Sequence, residues 1–394
     1  MATIFMAAYT NYRRDPRVRR EAEALAEAGH RVVFLSRRQP GEPDAETIAG
    51  VEVIKAPGLK EKCDSFGEYL ADYLLFFAIT FLHLLCHPRR YRLIHINNMP
   101  DFLVFAACVP RLLGVPVIHD VHDLMPELFL EKFSADETHW GIHALKLQEH
   151  WAGRFASAVL TVEDRLKTIL SERGIPKRKI HVLMNLPDDR IFAAQEPPPP
   201  KPDGAPFVMV YHGTLARRLG IDIAIEAAAK IREHIPVMEL RIIGAGEERE
   251  RLIALSERLG LQAIVTFSTG YVPVETIPGL IRDADAGIVP LRACSGTDIM
   301  LPTKLLEYVT LGIPSIVPKT RTIGRYFDAD MVQFFEAGDS DSLAAAMVEL
   351  YHDPARRTAL SVNAAERFGK LYHWSRHKDV YLNLVRTLIA DQAG

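Results

Sequence analysis

Cysteine is scarce in this sequence: only Cys63, Cys86, Cys108 and Cys294 occur in 394 residues, and they lie far apart. That leaves no C-x-x-C zinc or redox motif and no disulfide framework, which suits a reducing cytoplasm. An excess of one charge sign is also missing. The 47 basic and 50 acidic residues give a formal net charge of −3, so no global field draws the chain onto nucleic acid and any anion binding must be local. Long apolar runs are lacking too: the longest, YLLFFAITFLHLLC at 73–86, falls short of the ~20 residues of a membrane span and reads as a buried or interfacial helix. No basic segment precedes the apolar run of MATIFMAAYTNYRRD, so that stretch is expected to be a first core strand rather than a signal peptide.

What is present is an α/β pattern. Hydrophobic residues make up 48% and charged residues 25%, the balance of a globular protein, and the length suits two domains of roughly 150–200 residues each. Short β-branched runs (ATIFMAA, RVVFLS, VEVIKA, RLIHI, VPVIHDVH, ASAVLTV) alternate with helical stretches, and the strands are apolar on both faces. Such strands belong in a parallel sheet covered by helices. Asp15 as N-cap, Pro16 at the first helical position and Gly29 as terminator bound one helix.

The proline-rich 193–206, AAQEPPPPKPDGAP, reads as a stiff connector. The alternation restarts after it with FVMVYHG, MELRIIG, AIVTFST, AGIVPL and PSIVP. The expected architecture is two Rossmann-like doubly wound domains, 1–192 and 207–370, with an interdomain cleft and a C-terminal helix in 371–394 packing back on the first domain. Ligands of open α/β sheets bind outside the carboxyl ends of the strands.

Three stretches carry candidate chemistry. In LPTKLLEYVTLGIPSIVP, 301–318, Pro302 and Thr303 suit a helix start, Lys304 lies in its first turn and Glu307 one turn on. A helix N-terminus binds phosphate, and a carboxylate accepts hydrogen bonds from vicinal sugar hydroxyls. A plain i, i+3 surface pair is the competing reading, but the leucines around both charges bury most of that helix. In YHGTLARRLGID, Gly213 permits close backbone approach and Arg217 or Arg218 reaches a phosphate across the loop, with solvated loop arginines as the alternative. In VIHDVHDLMPE, His119, Asp120, His122, Asp123 and Glu127 crowd one strand end.

Other signals are weaker. The D-x-D pairs at 283/285, 328/330 and 339/341 sit at a helix end and in surface turns, and GAGEER at 244–249 lacks the third glycine of a dinucleotide fingerprint. Neither a metal nor a redox cofactor is expected. The basic clusters RRDPRVRR, with Arg13 and Arg14, and HPRRYR, with Arg89 and Arg90, read equally as solvated faces or as anchors for anionic lipid or a lipid-linked phosphate.

Taken in order, RDPRVRREAEALAEAGHRV, HDVHDLMPE, LTVEDRLKTIL, GTLARRLGID, LRIIGAGEE, VTFSTGYVPVETIPGLIRDADAGIVPL and LPTKLLEYVTLGIPSIVP resemble the retaining GT-B glycosyltransferases of family 4 over nearly the whole chain. The resemblance implies a metal-independent transferase that takes a nucleotide-diphosphate sugar on its C-terminal domain and a glycan, lipid-linked or small-molecule acceptor on its N-terminal one. By it, Glu307 holds the donor ribose, Lys304 and Arg218 the diphosphate, and His122 lies near the reacting sugar. Gly213, Thr214, Gly244, Asp298 and Thr303 complete the donor site, and Arg13, Arg14, Asp123 and Glu127 serve the acceptor. The first acid of the family's E-x7-E pair falls on Ile299, with Asp298 as the neighbouring substitute, and Thr214 stands where many members carry arginine. The implied location is cytoplasmic, peripheral at the inner face of the membrane. Two rivals remain: a GT-B sugar-nucleotide epimerase or hydrolase, and a catalytically weak nucleotide-sugar-binding partner.

Overall fold

The computed structural model describes residues 1–60, 66–133, 139–193, 201–202 and 204–392. The chain forms two compact units, Met1–Asn185 with Ser375–Gly394, and Leu186–Trp374. Most of the proline-rich stretch expected as a linker, 194–200 and 203, lies outside the described residues.

The first unit is an eight-stranded sheet: β1 (Thr3–Ala7), β2 (Arg31–Arg37), β3 (Ala45–Ile48), β4 (Val51–Ala56), β5 (Leu93–Asn97), β6 (Val117–Val121), β7 (Ala158–Thr161) and β8 (Ile180–Val182). Its order is β3-β4-β2-β1-β5-β6-β7-β8, and all pairs except β3 with β4 are parallel. The helices are α1 (Pro16–Glu27), α2 (Phe66–Cys86), α3 (Cys108–Leu112), α4 (Met125–Phe133), α5 (Trp140–Phe155) and α6 (Asp164–Glu172), with a 3-10 segment at Asp101–Ala107. Asp15 caps α1 by accepting from the Arg17 N–H, and Pro16 opens it. Strands β5, β6 and β7 are buried along their whole length, as the unbroken apolar runs require. Phe5, Val33, Ile94 and Val117 of the sheet meet Phe76 and Leu84 of α2 and Leu103 and Val104 of the 3-10 segment in one core.

The second unit is a six-stranded, fully parallel sheet of β9 (Phe207–His212), β10 (Met238–Ile243), β11 (Val265–Phe267), β12 (Ala286–Ile288), β13 (Ser315–Pro318) and β14 (Gln333–Phe335), in the order β11-β10-β9-β12-β13-β14. Its helices are α7 (Ile221–Ile231), α8 (Arg249–Arg258), α9 (Ile277–Ile281), α10 (Ser295–Asp298), α11 (Thr303–Thr310), α12 (Ile323–Tyr326), α13 (Ser340–His352) and α14 (Pro354–Ala364). The last helix, α15 (Trp374–Ala390), belongs to the first unit from Ser375 onward. Both sheets are doubly wound, and strand order reverses beside β1 in one and beside β9 in the other.

Candidate active site

At the end of β9 the chain must turn within a crowded corner. Gly213 has φ +117, and its N–H donates to the Ile243 carbonyl at 2.9 Å. Gly244, at the end of the neighbouring β10, has φ +148, and a Cβ there would lie 1.9 Å from the Gly213 carbonyl oxygen. Glycine is therefore needed at 244 for close approach of two strand ends. Thr214 follows, exposed, and its carbonyl accepts from the Tyr211 hydroxyl at 2.6 Å.

Helix α11 brings its first turn to this corner. Leu305, Leu306, Tyr308 and Val309 are buried and fix the helix, while Pro302 ahead of Thr303 offers no capping side chain. Lys304 reaches back over Gly213, where its Cε and Nζ would stand 3.4 and 3.6 Å from an added Cβ, and its Nζ lies 4.8 Å from the centroid of the Tyr211 ring. Burial pulls the lysine down to about 8, Glu307 opposing and Arg218 adding to the fall. The buried Glu307 carboxylate is 3.2 Å from His212 Nε2. The same imidazole meets the Tyr308 ring edge-on, and burial holds it neutral, down to about 3. Arg218, on the 3-10 turn Arg217–Leu219, is close enough to act electrostatically on both Lys304 and Tyr211. Two cations and an acid thus converge where β9 ends.

Asp298 is placed differently. It is the last residue of α10, its carboxylate accepts from the Arg321 N–H at 2.9 Å and lies 3.3 Å from the Arg321 guanidinium, and its carbonyl accepts from Thr322. In this position the acid anchors the start of α12. Ile299 follows it as the C-cap of α10, outside the helix.

The first unit gathers a second polar cluster at the ends of β5 and β6. His122, buried just after β6, places Nδ1 3.3 Å from Asp120 and Nε2 3.3 Å from the Asn97 amide oxygen. Alternation along β6 sends His119 the other way, 3.4 Å from Asp101. Asp120 also faces His95, 3.3 Å away, whose Nδ1 is 2.7 Å from the Tyr381 hydroxyl of α15. Glu21 of α1 completes the group by hydrogen-bonding Asp120. Burial and the neighbouring Asp120 charge push Glu21 up to about 8, and burial lifts Asp120 to about 6, so the two carboxyls share a proton. Burial, then the charge of Arg17, keeps His122 well below its ordinary value and neutral. Donor atoms of Glu21, His95 and Asp120 lie within 4.8 Å of one another, a set that could close on a metal. Arg17 and Arg20 already bring positive charge to these carboxylates.

The remaining acceptor candidates are spread out. The Asp123 carbonyl accepts from Asn98 at 2.7 Å, next to His122. Glu127 is ion-paired with Arg173, which also holds Glu149 at 2.9 Å. Arg13 is exposed and paired with Glu46, and Arg14 beside it is exposed. Reading along the sequence missed His212, Tyr211, Glu21, His95 and Tyr381. For Glu21 a signal existed: Arg17, Arg20 and Glu21 share one face of α1 with the buried Ala24 and Leu25, and charges on a buried face need partners.

Fold and site together define a two-unit Rossmann-like protein with two cations and a carboxylate gathered at the switch point of its second sheet. Two family models match in tandem, the glycosyl transferase 4-like domain over residues 15–185 and glycosyl transferases group 1 over 193–367. The chain belongs to the group 1 glycosyltransferases of GT-B fold, family 4. It is 27% identical to the alpha-D-kanosaminyltransferase of Streptomyces kanamyceticus, over 75% of this chain and 76% of that one. Other curated relatives are matched over 39% to 58% of their own length. Among solved structures, a sucrose-phosphate synthase from Thermosynechococcus elongatus superposes with a TM-score of 0.81 at 20% identity, covering 99% of this chain and 100% of that one. HepE of Anabaena, in complex with UDP and glucose, gives 0.71 at 16% identity, covering 98% and 100%. At these identities the likeness concerns the fold.

Proposed function

We propose that the protein is a retaining, metal-independent glycosyltransferase that moves a sugar from a nucleotide-diphosphate donor to the hydroxyl of a glycan, lipid-linked or small-molecule acceptor. The observation that carries this is the corner at β9, where Lys304 in the first turn of α11 stands one helical turn from the Glu307 carboxylate and within electrostatic reach of Arg218. Glycosyl transfer develops negative charge on the departing diphosphate and positive charge on the anomeric carbon. Fixed cations and backbone N–H groups aimed at the diphosphate lower that barrier, and they act without a metal. Glu307, held toward His212, accepts the ribose hydroxyls. His122, neutral, lies near the reacting sugar, and Asp123, Glu127, Arg13 and Arg14 serve the acceptor. HepE, solved with UDP and glucose, supports a uridine donor. The protein works in the cytoplasm, peripheral at the inner face of the membrane.

Thermal-shift screening against UDP-, GDP- and dTDP-sugars tests the donor site. One donor is expected to raise the melting temperature, and Lys304→Ala and Glu307→Ala to abolish the rise. No shift with any of them would overturn the proposal. Ile299, together with the engagement of Asp298 by Arg321, favours one rival, a nucleotide-sugar-binding partner without turnover. That rival predicts the same shifts but no transfer to any acceptor, whereas an epimerase or hydrolase consumes the donor with none present.

A further inference from the structure

Helix α2 has one side that the fold uses and one that it does not. Phe76, Thr80 and Leu84 are buried in the core, and Asp72 is buried, receiving the Lys60 N–H at 2.9 Å and the Tyr9 hydroxyl. On the outer side Leu70, Leu74, Leu75, Leu82 and Leu85 are 40% to 56% exposed, and from Tyr69 to Cys86 the only Asp, Glu, Lys or Arg is the buried Asp72. Gly67–Cys86 is long and apolar enough to cross a membrane, although the unbroken apolar run inside it is shorter. The inward side is committed to the core, so the helix lies against the unit rather than crossing. A water-facing amphipathic helix carries charges where these leucines stand.

The surface continues beyond α2. Leu112, at the end of α3, is 86% exposed, and on α5 Trp140, Leu147 and Trp151 recur at one-face spacing, 55% to 77% exposed. Strands β5 to β8 start in register, Ile94 opposite Val117, Ile118 opposite Ala158 and Val159 opposite Ile180, so the segments that feed them meet at one edge of the sheet. That edge is basic. The Arg111 guanidinium donates to the Phe155 carbonyl, the Lys179 ammonium to the carbonyls of Arg154 and Ala156, and burial together with the charges of Arg111, Arg178 and Arg154 lowers Lys179. Arg89 and Arg90, exposed after α2, enter the same edge. None of these six forms an ion pair with an acid among the described residues.

We infer that the outer face of α2, continued by Leu112 and the tryptophan face of α5, rests on an anionic lipid bilayer, with the basic edge at the level of the headgroups. An apolar face with cations at its border is what such an interface selects, because the leucines leave water while the guanidiniums stay beside phosphate. The inference rests on the peripheral location proposed above and does not involve the donor site.

The test is flotation of the full chain with vesicles of phosphatidylcholine alone and of an equimolar phosphatidylcholine–phosphatidylglycerol mixture. Binding is expected only to the mixture and should weaken with salt. Arg89→Glu/Arg90→Glu and Leu82→Glu/Leu85→Glu should each weaken it at least about tenfold, with melting temperatures and the nucleotide-induced shift unchanged. The arginine variant alters only exposed loop residues, so the test stands if the leucine variant misfolds. Wild-type binding that both variants retain would overturn this surface while leaving the peripheral location intact. No binding by the wild type would overturn both. A concentration-dependent dimer in sedimentation velocity that Leu82→Glu/Leu85→Glu dissolves would also overturn the proposal, since a second copy would then cover the face.

Discussion

Lys304 is a buried cation whose position makes its charge conditional. It loses its proton near pH 8 rather than at the ordinary lysine value because burial disfavours the ammonium, Glu307 offsetting part of the loss and Arg218 adding to it. An arriving diphosphate supplies two negative charges and pulls the proton back. In the free protein the ammonium is therefore fully present below about 8 and lost as pH rises through it. Calorimetric titration with the nucleoside diphosphate at rising pH should show affinity falling above that point, with proton uptake on binding. Lys304→Arg should remove the dependence because a guanidinium stays charged, and Lys304→Met should weaken binding at neutral pH by roughly 1.5–3 kcal/mol, the range for a hydrogen bond to a charged group. Equal pH slopes in wild type and Lys304→Arg would remove the lysine from the diphosphate.

At the scale of elements, the corner depends on two strands that end almost in contact. Adding a methyl group at 244 drives it into the Gly213 carbonyl and demands a positive φ that alanine adopts only under strain. Gly244→Ala should destabilise the protein by about 2 kcal/mol or more, as overpacking and backbone strain together. Chemical denaturation will check this, and a loss of less than half that size would mean the corner is looser than described. The elements themselves were legible in the sequence, because parallel strands buried on both faces leave runs such as FVMVY, and Asp15-Pro16 announces a helix. Lys304 and Glu307 were legible for a related reason: charges on an otherwise buried helix stand out. Gly244 was visible but not its purpose, since its neighbour across the sheet lies 31 positions earlier and only register brings them together. His212 looked like one more residue of an apolar strand end until α11 supplied its carboxylate.

The cluster in the first unit could be seen only at the scale of the whole chain. Glu21, His95, Asp120 and Tyr381 come from α1, β5, β6 and a helix reached after the second unit has been traversed, and no local pattern couples them. The buried Tyr381 ties α15 to the sheet through His95, so the end of the chain seals this network. The pH behaviour of the folded unit should report it. Glu21 holds its proton up to about pH 8 in the folded state but releases it near 4.5 when unfolded. The stabilisation from the bound proton is therefore fully present below 4.5 and is lost as pH rises through 8. His95, lowered to about 4 by burial, has the opposite sign, since stability falls as pH drops below 6.5 and the unfolded imidazole takes up a proton. Between 4.5 and 6.5 the two trends oppose each other, and from 6.5 to 8 Glu21 acts without that opposition. Gln at position 21 imitates the protonated acid and does not titrate. Thermal melts should find Glu21→Gln more stable than wild type at pH 8.5 by about 3 °C or more, roughly 1 kcal/mol for a unit of this size, with the gap closing toward pH 6. Parallel melting curves for the two proteins across that range would show that Glu21 carries no proton in the folded chain, and that the charges of Arg17 and Arg20 alone hold both carboxylates.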